Sequence, residues 1–236
     1  RYDHETRQMQ LINVWPEEQT GSAPRDLKYR FAWTFPILFS PHNSDVIYVG
    51  GNHVFKSQNE GMSWEKISPD LSRKDQSKLD FSGGPLTGDS AGAEQYATCS
   101  SVVESIHREG EIWAATDDGL VHVTRDGGKN WHHVTPKSIP EWAYIGNIEI
   151  SVHDPDTIYL AATRYKLSDY KPYLLKTSNG GKTWNQLDNN FPKNEITRVI
   201  RSDTMAPGLL FVGTETGIYI STDDGRKWNK LSGKFP

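Results

Sequence analysis

The sequence has a single cysteine, Cys99, among its 236 residues. One cysteine excludes an internal disulfide and any metal site built from several thiolates. No apolar stretch approaches about 18 residues, so neither a transmembrane helix nor membrane insertion is expected. The formal net charge is −4 and the pI is about 6.1, which leaves no surplus of positive charge. We therefore expect no nucleic-acid partner.

Long amphipathic segments with a 3.6-residue period are also missing, which argues against a helical fold. The chain begins at Arg1, with neither a methionine nor a signal peptide. We interpret it as a processed or excised part of a longer chain. A content of 35% hydrophobic and 24% charged residues still suits one or two folded domains with a real core.

An eight-residue pattern, Ser/Thr-x-Asp/Asn-x-Gly-x-x-Trp, occurs four times. We call each copy a box, and the copies are SQNEGMSW (57–64), TRDGGKNW (124–131), TSNGGKTW (177–184) and STDDGRKW (221–228). The Asp or Asn side chain accepts hydrogen bonds from nearby amides and the glycine adopts positive φ, so the pattern predicts a hairpin turn. A structural role is predicted for Asn59, Trp64, Asp126, Trp131, Asn179, Trp184, Asp223 and Trp228.

Short apolar runs surround every box. One run follows it, one precedes it, and two more lie upstream, so each unit has four strands, A to D, with the box joining C to D. Successive box tryptophans are 67, 53 and 44 residues apart (131 − 64, 184 − 131, 228 − 184). A strand-only repeat of about 40–50 residues with insertions is typical of a β-propeller.

We therefore predict an all-β fold, a partial β-propeller arc of four full four-stranded blades plus part of a fifth. The blades are expected at 29–72, 96–137, 143–190 and 194–233, with 1–15 as the end of a preceding blade. A propeller closes only when its first and last blades meet. The remaining blades are therefore expected from the same longer chain or from a partner subunit.

The long insertions should share one face of the arc. Antiparallel strands place A–B and C–D turns on one face, which we call the box face, and B–C turns and D–A loops on the other. The long segments 15–30, 68–95, 135–146 and 164–172 all belong to the second, elaborated face. Long loops on a rigid scaffold commonly carry binding residues, although such loops can also merely cover blade ends.

The boxes resemble the Asp-box, or BNR, repeats of sialidases, xyloglucanase-type glycoside hydrolases and sortilin/Vps10 receptors. The segments YRFAWTFPILFSPH (29–42), SGGPLTGD (82–89) and ATDDGLVHVTRDGGKNW (115–131) are similar to bacterial sortilin-like propellers commonly labelled glycosyl hydrolases. The resemblance implies the propeller fold, further blades, and a periplasmic or extracellular location. It implies no particular activity, and the cysteine-rich module of the receptors is absent from this sequence.

Catalysis by a glycosidase requires two carboxyl groups about 5–5.5 Å or about 6.5–9.5 Å apart. Asp89, Glu94 and Asp117 on the elaborated face are the catalytic candidates. A sialidase would need an arginine triad, for which Arg30, Arg164 and Arg201 are available but match no known spacing. The predicted ligand-binding residues are Tyr29, Arg30, Trp33, Asp117, Asp118, Trp142, Arg164 and Glu215.

Neither a cofactor nor a metal is predicted, because the eight histidines lack metal-ligand spacing and LTGDSAG (86–92) precedes no helix. Three functions remain open at this point. The first is an exported interaction module that binds a polysaccharide or a protein ligand on the elaborated face. The others are a glycoside hydrolase acting on a polysaccharide, and a scaffold subunit of a larger complex, in which the 68–95 loop would be buried against another chain.

Overall fold

The computed structural model describes residues 1–84, 86–90, 95–188 and 190–233. It contains four antiparallel four-stranded sheets, and in each of them the strands follow one another in chain order. The first two sheets are β1 (Ile37–Phe39), β2 (Ile47–Gly50), β3 (Val54–Ser57), β4 (Glu65–Lys66), then β7 (Cys99–Glu104), β8 (Ile112–Thr116), β9 (Val121–Thr124) and β10 (Trp131–His133). The other two are β11 (Tyr144–Ile150), β12 (Ile158–Arg164), β13 (Asp169–Thr177), β14 (Asn185–Gln186), then β15 (Thr197–Ser202), β16 (Leu210–Thr214), β17 (Ile218–Ser221) and β18 (Asn229–Lys230).

A small hairpin and three single 3₁₀ turns complete the described elements. The hairpin pairs β5 (Ser82–Gly84) with β6 (Thr87–Asp89) inside the 68–95 insertion, where the sequence predicted no strands. The 3₁₀ turns are Pro24–Asp26, Gln76–Lys78 and Tyr165–Leu167. The longest insertion of the elaborated face therefore has local structure of its own.

Three apolar clusters lie between consecutive sheets, which is the radial packing of propeller blades. One cluster joins the first and second sheets through Val54 and Ile112. The next joins the second and third through Trp113 and Leu160, and the last joins the third and fourth around Leu210. The predicted all-β arc of four four-stranded blades is confirmed, and we number these sheets blades 1 to 4.

The boxes are turns held by their own side chains. In the second box, Gly128 N donates to Thr124 Oγ1 at 3.0 Å and Asn130 N donates to Asp126 Oδ1 at 2.9 Å. Equivalent bonds occur in the other three boxes. In the second box the glycine, Gly128, has φ of +100°. A Cβ there would lie 2.5 Å from Ile67 O of blade 1, so only glycine fits.

Box tryptophans tie each blade to the blade before it. Trp131 Nε1 donates to Ile67 O at 2.8 Å, and corresponding bonds join Trp184 to Val134 and Trp228 to Leu187. Trp64 Nε1 in the first box has no hydrogen-bond partner among the residues that the structure describes. The side chain of Ile12 nevertheless lies against the backbone of the box glycine Gly61, where an added Cβ would be 2.8 Å from Ile12 Cδ1. This contact supports assigning residues 1–15 to a preceding blade, which stays a prediction.

The face of blade 1 that points away from blade 2 exposes apolar side chains. Ile37 and Phe39 are 61% and 64% exposed, whereas Leu38 between them packs into the cluster shared with blade 2. Exposed apolar side chains on a sheet face mark a surface that another element covers. The predicted further blades would pack at such a face.

A second kind of contact between blades, which the sequence alone did not predict, repeats on the box face. A Ser-x-His pattern follows strand A in blades 1 to 3, and each histidine ring bonds to a backbone carbonyl at the same position of the next blade. The Nε2–O distances are 2.7 Å for His42 to Ser105, 2.8 Å for His107 to Ser151 and 2.9 Å for His153 to Asp203. We call these three histidine bonds latches, and they join each of blades 1 to 3 to the next blade along one edge of the arc.

Replacing His107 by alanine should lower the free energy of unfolding by about 1 kcal/mol, because Ser151 O then loses its protein donor. His132, exposed on β10 and without a side-chain hydrogen bond among the described residues, is the matched control, and its alanine variant should change stability by less than about 0.5 kcal/mol. Urea denaturation of both variants checks the latch. Identical midpoints for the two variants would refute it.

Candidate functional site

The box face and the elaborated face lie on opposite sides of the arc, as the alternating strand directions require. Box turns touch the A–B turns of their own blade, since Gly127 N donates to Gly110 O and Gly180 N donates to Asp156 O. On the opposite, elaborated face a cleft of about 630 Å³ opens between blades 1, 2 and 3. Its walls are Ala32, Trp33, Thr34, Lys78, Gln95, Tyr96, Asp117, Trp142, Tyr144, Thr163, Arg164, Tyr165, Lys166 and Leu167. Every one of these residues comes from a B–C turn or a D–A loop or from a strand end beside one.

Asp117 is the carboxyl group that lines this cleft. It follows directly on β8, and its backbone N–H donates to Thr98 O, which holds the turn against the incoming D–A loop. Thr98 in return donates to the carboxylate through its N–H at 3.0 Å and its hydroxyl at 3.1 Å. Burial raises the pKa of Asp117 to about 7, and the neighbouring charge of Asp118 adds to the rise, while the Thr98 bonds oppose it. A carboxyl group with that pKa can give or take a proton near neutral pH.

Asp118 lies behind Asp117 and is fully buried. Its carboxylate accepts hydrogen bonds from Thr116 Oγ1 at 2.5 Å and from Arg73 N at 2.8 Å. The Arg73 guanidinium also donates to Asp118 O. Burial raises the pKa of Asp118 as well. Asp118 therefore fastens the 68–95 loop to blade 2 and lies outside the cleft wall.

Aromatic rings surround Asp117. Trp33 is 80% exposed at the rim, and Trp142 stacks on Tyr96 with ring centroids 6.4 Å apart. Tyr144 and Tyr165 complete the set. Trp142 has φ of +64°, a region that bulky residues rarely occupy. Backbone strain of this kind concentrates at functional sites, and here it directs an indole into the cleft.

Within the described part of the chain, two buried polar atoms of the cleft residues have no hydrogen-bond partner. Gln95 is 6% exposed and Thr163 is 2% exposed, yet Gln95 Oε1 and Thr163 Oγ1 are both unpaired. Leaving such an atom unpaired costs about 1–3 kcal/mol, so a ligand that supplies the missing bond would gain from it. An amide oxygen accepts from a hydroxyl group, and a threonine hydroxyl can either donate or accept.

Four predicted ligand-binding residues lie in this cleft: Trp33, Asp117, Trp142 and Arg164. The other four lie elsewhere. Arg30 is buried and donates to Asp70 and Ser72, and Tyr29 packs against Phe55. Asp118 is buried and accepts hydrogen bonds from Thr116 and Arg73, and Glu215 is paired with Arg198.

The arginines considered for a triad do not share one pocket. Arg164 lines the cleft, Arg30 is held by Asp70, and Arg201 of blade 4 pairs with Glu149 of blade 3. Of the catalytic candidates besides Asp117, Asp89 belongs to β6 with its side chain outside the described part, and Glu94 lies outside the described residues. Within the described part of the chain, Asp117 is the one carboxylate among the cleft-lining residues.

Sequence reasoning missed Gln95, Thr163, Lys78 and Lys166 as cleft residues. Thr163 could have been found, because it directly precedes Arg164 at the end of strand B. Arg164 holds in blade 3 the position that Asp117 holds in blade 2. Among residues 1–84, 86–90, 95–188 and 190–233, no cluster of three or more His, Cys, Asp or Glu side chains could hold a metal ion. Over the same residues, no helix has the length and apolar character that a membrane crossing requires.

The sequence is similar to that of a curated fungal protein. The chain is 28% identical over 114 residues to a probable oligoxyloglucan-reducing end-specific xyloglucanase of Neosartorya fischeri. The match covers 48% of this chain and 14% of the fungal protein. No protein-family profile matches the sequence.

Solved structures share the fold. The GH74 xyloglucanase from Xanthomonas campestris superposes with a TM-score of 0.62 at 18% identity, covering 83% of this chain and 29% of that one. An ancestral GH74 enzyme gives 0.59 at 18% identity over 95% of this chain and 25% of that one. The β-propeller domain of Myceliophteria thermophila Cps50 gives 0.53 at 16% identity, covering 86% of this chain and 57% of that one. The chain spans less than a third of the two GH74 structures, and the likeness establishes the β-propeller fold.

Proposed function

We propose that this chain forms the carbohydrate-binding wall of a glycoside-hydrolase-type β-propeller, with a polysaccharide lying in the cleft against Trp33 and Trp142. The observation that carries the proposal is the composition of the cleft. Aromatic rings surround a carboxyl group of raised pKa, and two unpaired buried polar atoms lie beside it. Flat apolar rings stack on the faces of sugar rings, and the polar atoms suit sugar hydroxyl groups.

In this proposal Asp117 is the general acid. Its pKa of about 7 keeps a large share of the carboxyl groups protonated near neutral pH, as protonation of a glycosidic oxygen requires. Its place beside Tyr96 and Tyr144 gives it contact with a bound sugar. The second carboxyl group of a glycosidase would come from the 68–95 insertion, where Asp89 and Glu94 remain the candidates, or from further blades.

Similarity to the fungal xyloglucanase supports a polysaccharide as the ligand class. Xyloglucan oligosaccharides are accordingly the first ligands to test. We extend the proposal to an extracellular location, because a polysaccharide of this kind lies outside the cell. The sortilin/Vps10 side of the resemblance stays a prediction.

A second candidate is a binding module without catalysis. One observation favours it: the described part of the cleft wall holds one carboxylate, whereas glycosidases generally use two. Turnover separates the two candidates, because a binding module retains the oligosaccharide unchanged. The scaffold reading requires a protein partner on the 68–95 loop, where Leu86 is 98% exposed and Phe81 is 45% exposed.

Replacing Trp142 or Trp33 by alanine should weaken binding of a xyloglucan oligosaccharide about tenfold each, because a stacking platform is lost. Calorimetric titration measures the loss. Trp15 is the matched control, since it is 39% exposed, packs on Tyr29 outside the cleft and should leave affinity unchanged when replaced. A Trp33→Ala protein that binds like the parent would contradict the proposed cleft.

A further inference from the structure

The cleft carries more positive than negative charge, although the chain as a whole has a net charge of −4. Among the described lining residues, three have cationic side chains, Lys78, Arg164 and Lys166, and one, Asp117, has a carboxyl group. Lys78 and Lys166 are exposed, and neither forms an ion pair within the described part of the chain. A cleft lined by one sign of charge concentrates ligands of the opposite sign.

Arg164 is oriented by a hydrogen bond to a backbone carbonyl group, and most of the N–H donors of its guanidinium group are left unused by the described residues. Its Nε donates to Glu141 O at 3.0 Å, and its Nη1 forms an ion pair with Asp169 Oδ2 at 3.8 Å, a separation longer than a hydrogen bond. Asp169 is already the acceptor of the Tyr173 hydroxyl. The guanidinium is therefore fixed at the wall with donors left for a carboxylate.

The remaining charged groups around the cleft do not cancel this excess. Glu141 pairs with Arg73 at 3.3 Å and is largely exposed, and Asp118 is buried beneath the wall and bonded to the same arginine. Arg73 itself lies 5.1 Å from the Trp142 ring, adding a cation behind the aromatic platform. Asp75, whose pKa is lowered chiefly by hydrogen bonds from Ser77, is the acidic group near Lys78.

We propose that the polysaccharide bound in this cleft is acidic, with carboxylate groups that pair with Arg164, Lys78 and Lys166. This inference rests on the proposed function, because it names the chemical class of the glycan that the same cleft takes. The aromatic rings stack on the sugar rings of that glycan, the unpaired Thr163 and Gln95 atoms bond to its hydroxyl groups, and the cations pair with its carboxylates. Two of the similar proteins named above are xyloglucanases, so acidic substitution would distinguish this chain from them.

A matched pair of ligands tests the inference. One is a xyloglucan oligosaccharide, and the other is the same oligosaccharide oxidised at its primary alcohols to uronic acids. The full chain should bind the acidic form about tenfold more tightly at physiological salt. The gap should close as ionic strength rises to about 1 M, where the Debye length falls from about 8 Å to about 3 Å.

Variants locate the effect in the cleft. Replacing both Lys78 and Lys166 by alanine should remove most of the about tenfold preference, because the affinity for the acidic form should fall more than the affinity for the neutral form. Lys227, an exposed lysine in the fourth box on the opposite face, is the control, and its alanine variant should retain the preference.

The outcomes separate the two proposals. Equal or tighter binding of the neutral form overturns the acidic ligand and leaves the polysaccharide cleft in place. Binding of neither form overturns both. A single-stranded oligonucleotide of matched charge that binds as tightly as the acidic oligosaccharide also overturns the inference, because the cleft would then select charge alone. A preference that survives in the double lysine variant would equally contradict it.

Discussion

Replacing Trp131 by alanine is expected to lower the free energy of unfolding by about 3–5 kcal/mol, the usual loss for a large aromatic side chain in a core. The indole packs against the apolar cluster between blades 1 and 2, and its Nε1 bonds to Ile67 O. The variant loses this packing and leaves the carbonyl unpaired at a blade junction. Because each blade is held chiefly by its neighbours, the loss should appear in cooperative unfolding of the whole arc.

Two other tryptophans serve as controls for this prediction. Trp64 occupies the same box position, but its Nε1 has no hydrogen-bond partner in the described part of the chain, so its alanine variant should lose measurably less stability. Trp33 is 80% exposed, and its replacement should change the free energy of unfolding by less than about 0.5 kcal/mol. Urea denaturation compares the three variants. A Trp131→Ala protein as stable as the Trp33 variant would refute the blade-joining role of the box.

Replacing Asp117 by asparagine is expected to lower turnover of a cleft-bound glycan by about 10²–10⁴-fold, the usual contribution of a general acid. Asparagine has nearly the same shape, and it can still accept the hydrogen bond from Thr98 N, so the fold should persist. Affinity for the glycan should change little, which separates loss of catalysis from loss of binding. Activity assays on oligosaccharides measure the effect, and unchanged turnover would remove Asp117 from the mechanism.

The same substitution should change how stability depends on pH. The pKa of Asp117 is raised from 3.8 to about 7 in the folded chain, so between these values the unfolded chain releases a proton that the folded chain keeps. The free energy of unfolding therefore falls as pH rises from about 4 to about 7, by at most about 4 kcal/mol at about 1.36 kcal/mol per pKa unit. The Asp117→Asn protein lacks this decline, and its stability relative to the parent should rise over that range.

Glu215 provides the control for the pH measurement. It lies in the same position of blade 4 but is 48% exposed at its side chain and pairs with Arg198. A Glu215→Gln variant should keep the decline of the parent between about pH 4 and about pH 7. Thermal melts at several pH values would decide the matter, and parallel curves for the parent and the Asp117 variant would contradict the raised pKa.

The fold could be predicted because its signals are local. Each box carries its hydrogen-bonding groups within eight residues, so Thr124, Asp126 and Gly128 specify their turn without help from distant residues. Apolar runs on both sides specify the strands. The Ser-x-His latches are also local in sequence, but their acceptors are carbonyl groups 44 to 63 residues away, so their role appears only once blades are packed.

The site could be predicted only in part, because its groups come from three blades. Asp117 and Trp142 were recognisable from their place on the elaborated face. The sequence also nominated Arg30, whose guanidinium is bonded to Asp70, 40 residues away. No local pattern distinguishes an arginine that binds a ligand from one that anchors a loop. The unpaired atoms of Gln95 and Thr163 are likewise products of tertiary packing.

A crystal structure of the chain with a bound oligosaccharide tests the central claim most directly. Sugar rings should stack on Trp142 and Trp33, with a glycosidic oxygen within hydrogen-bond distance of the Asp117 carboxyl group. Sugar bound on the box face, or in a cleft position that leaves Asp117 and both indoles untouched, would contradict it.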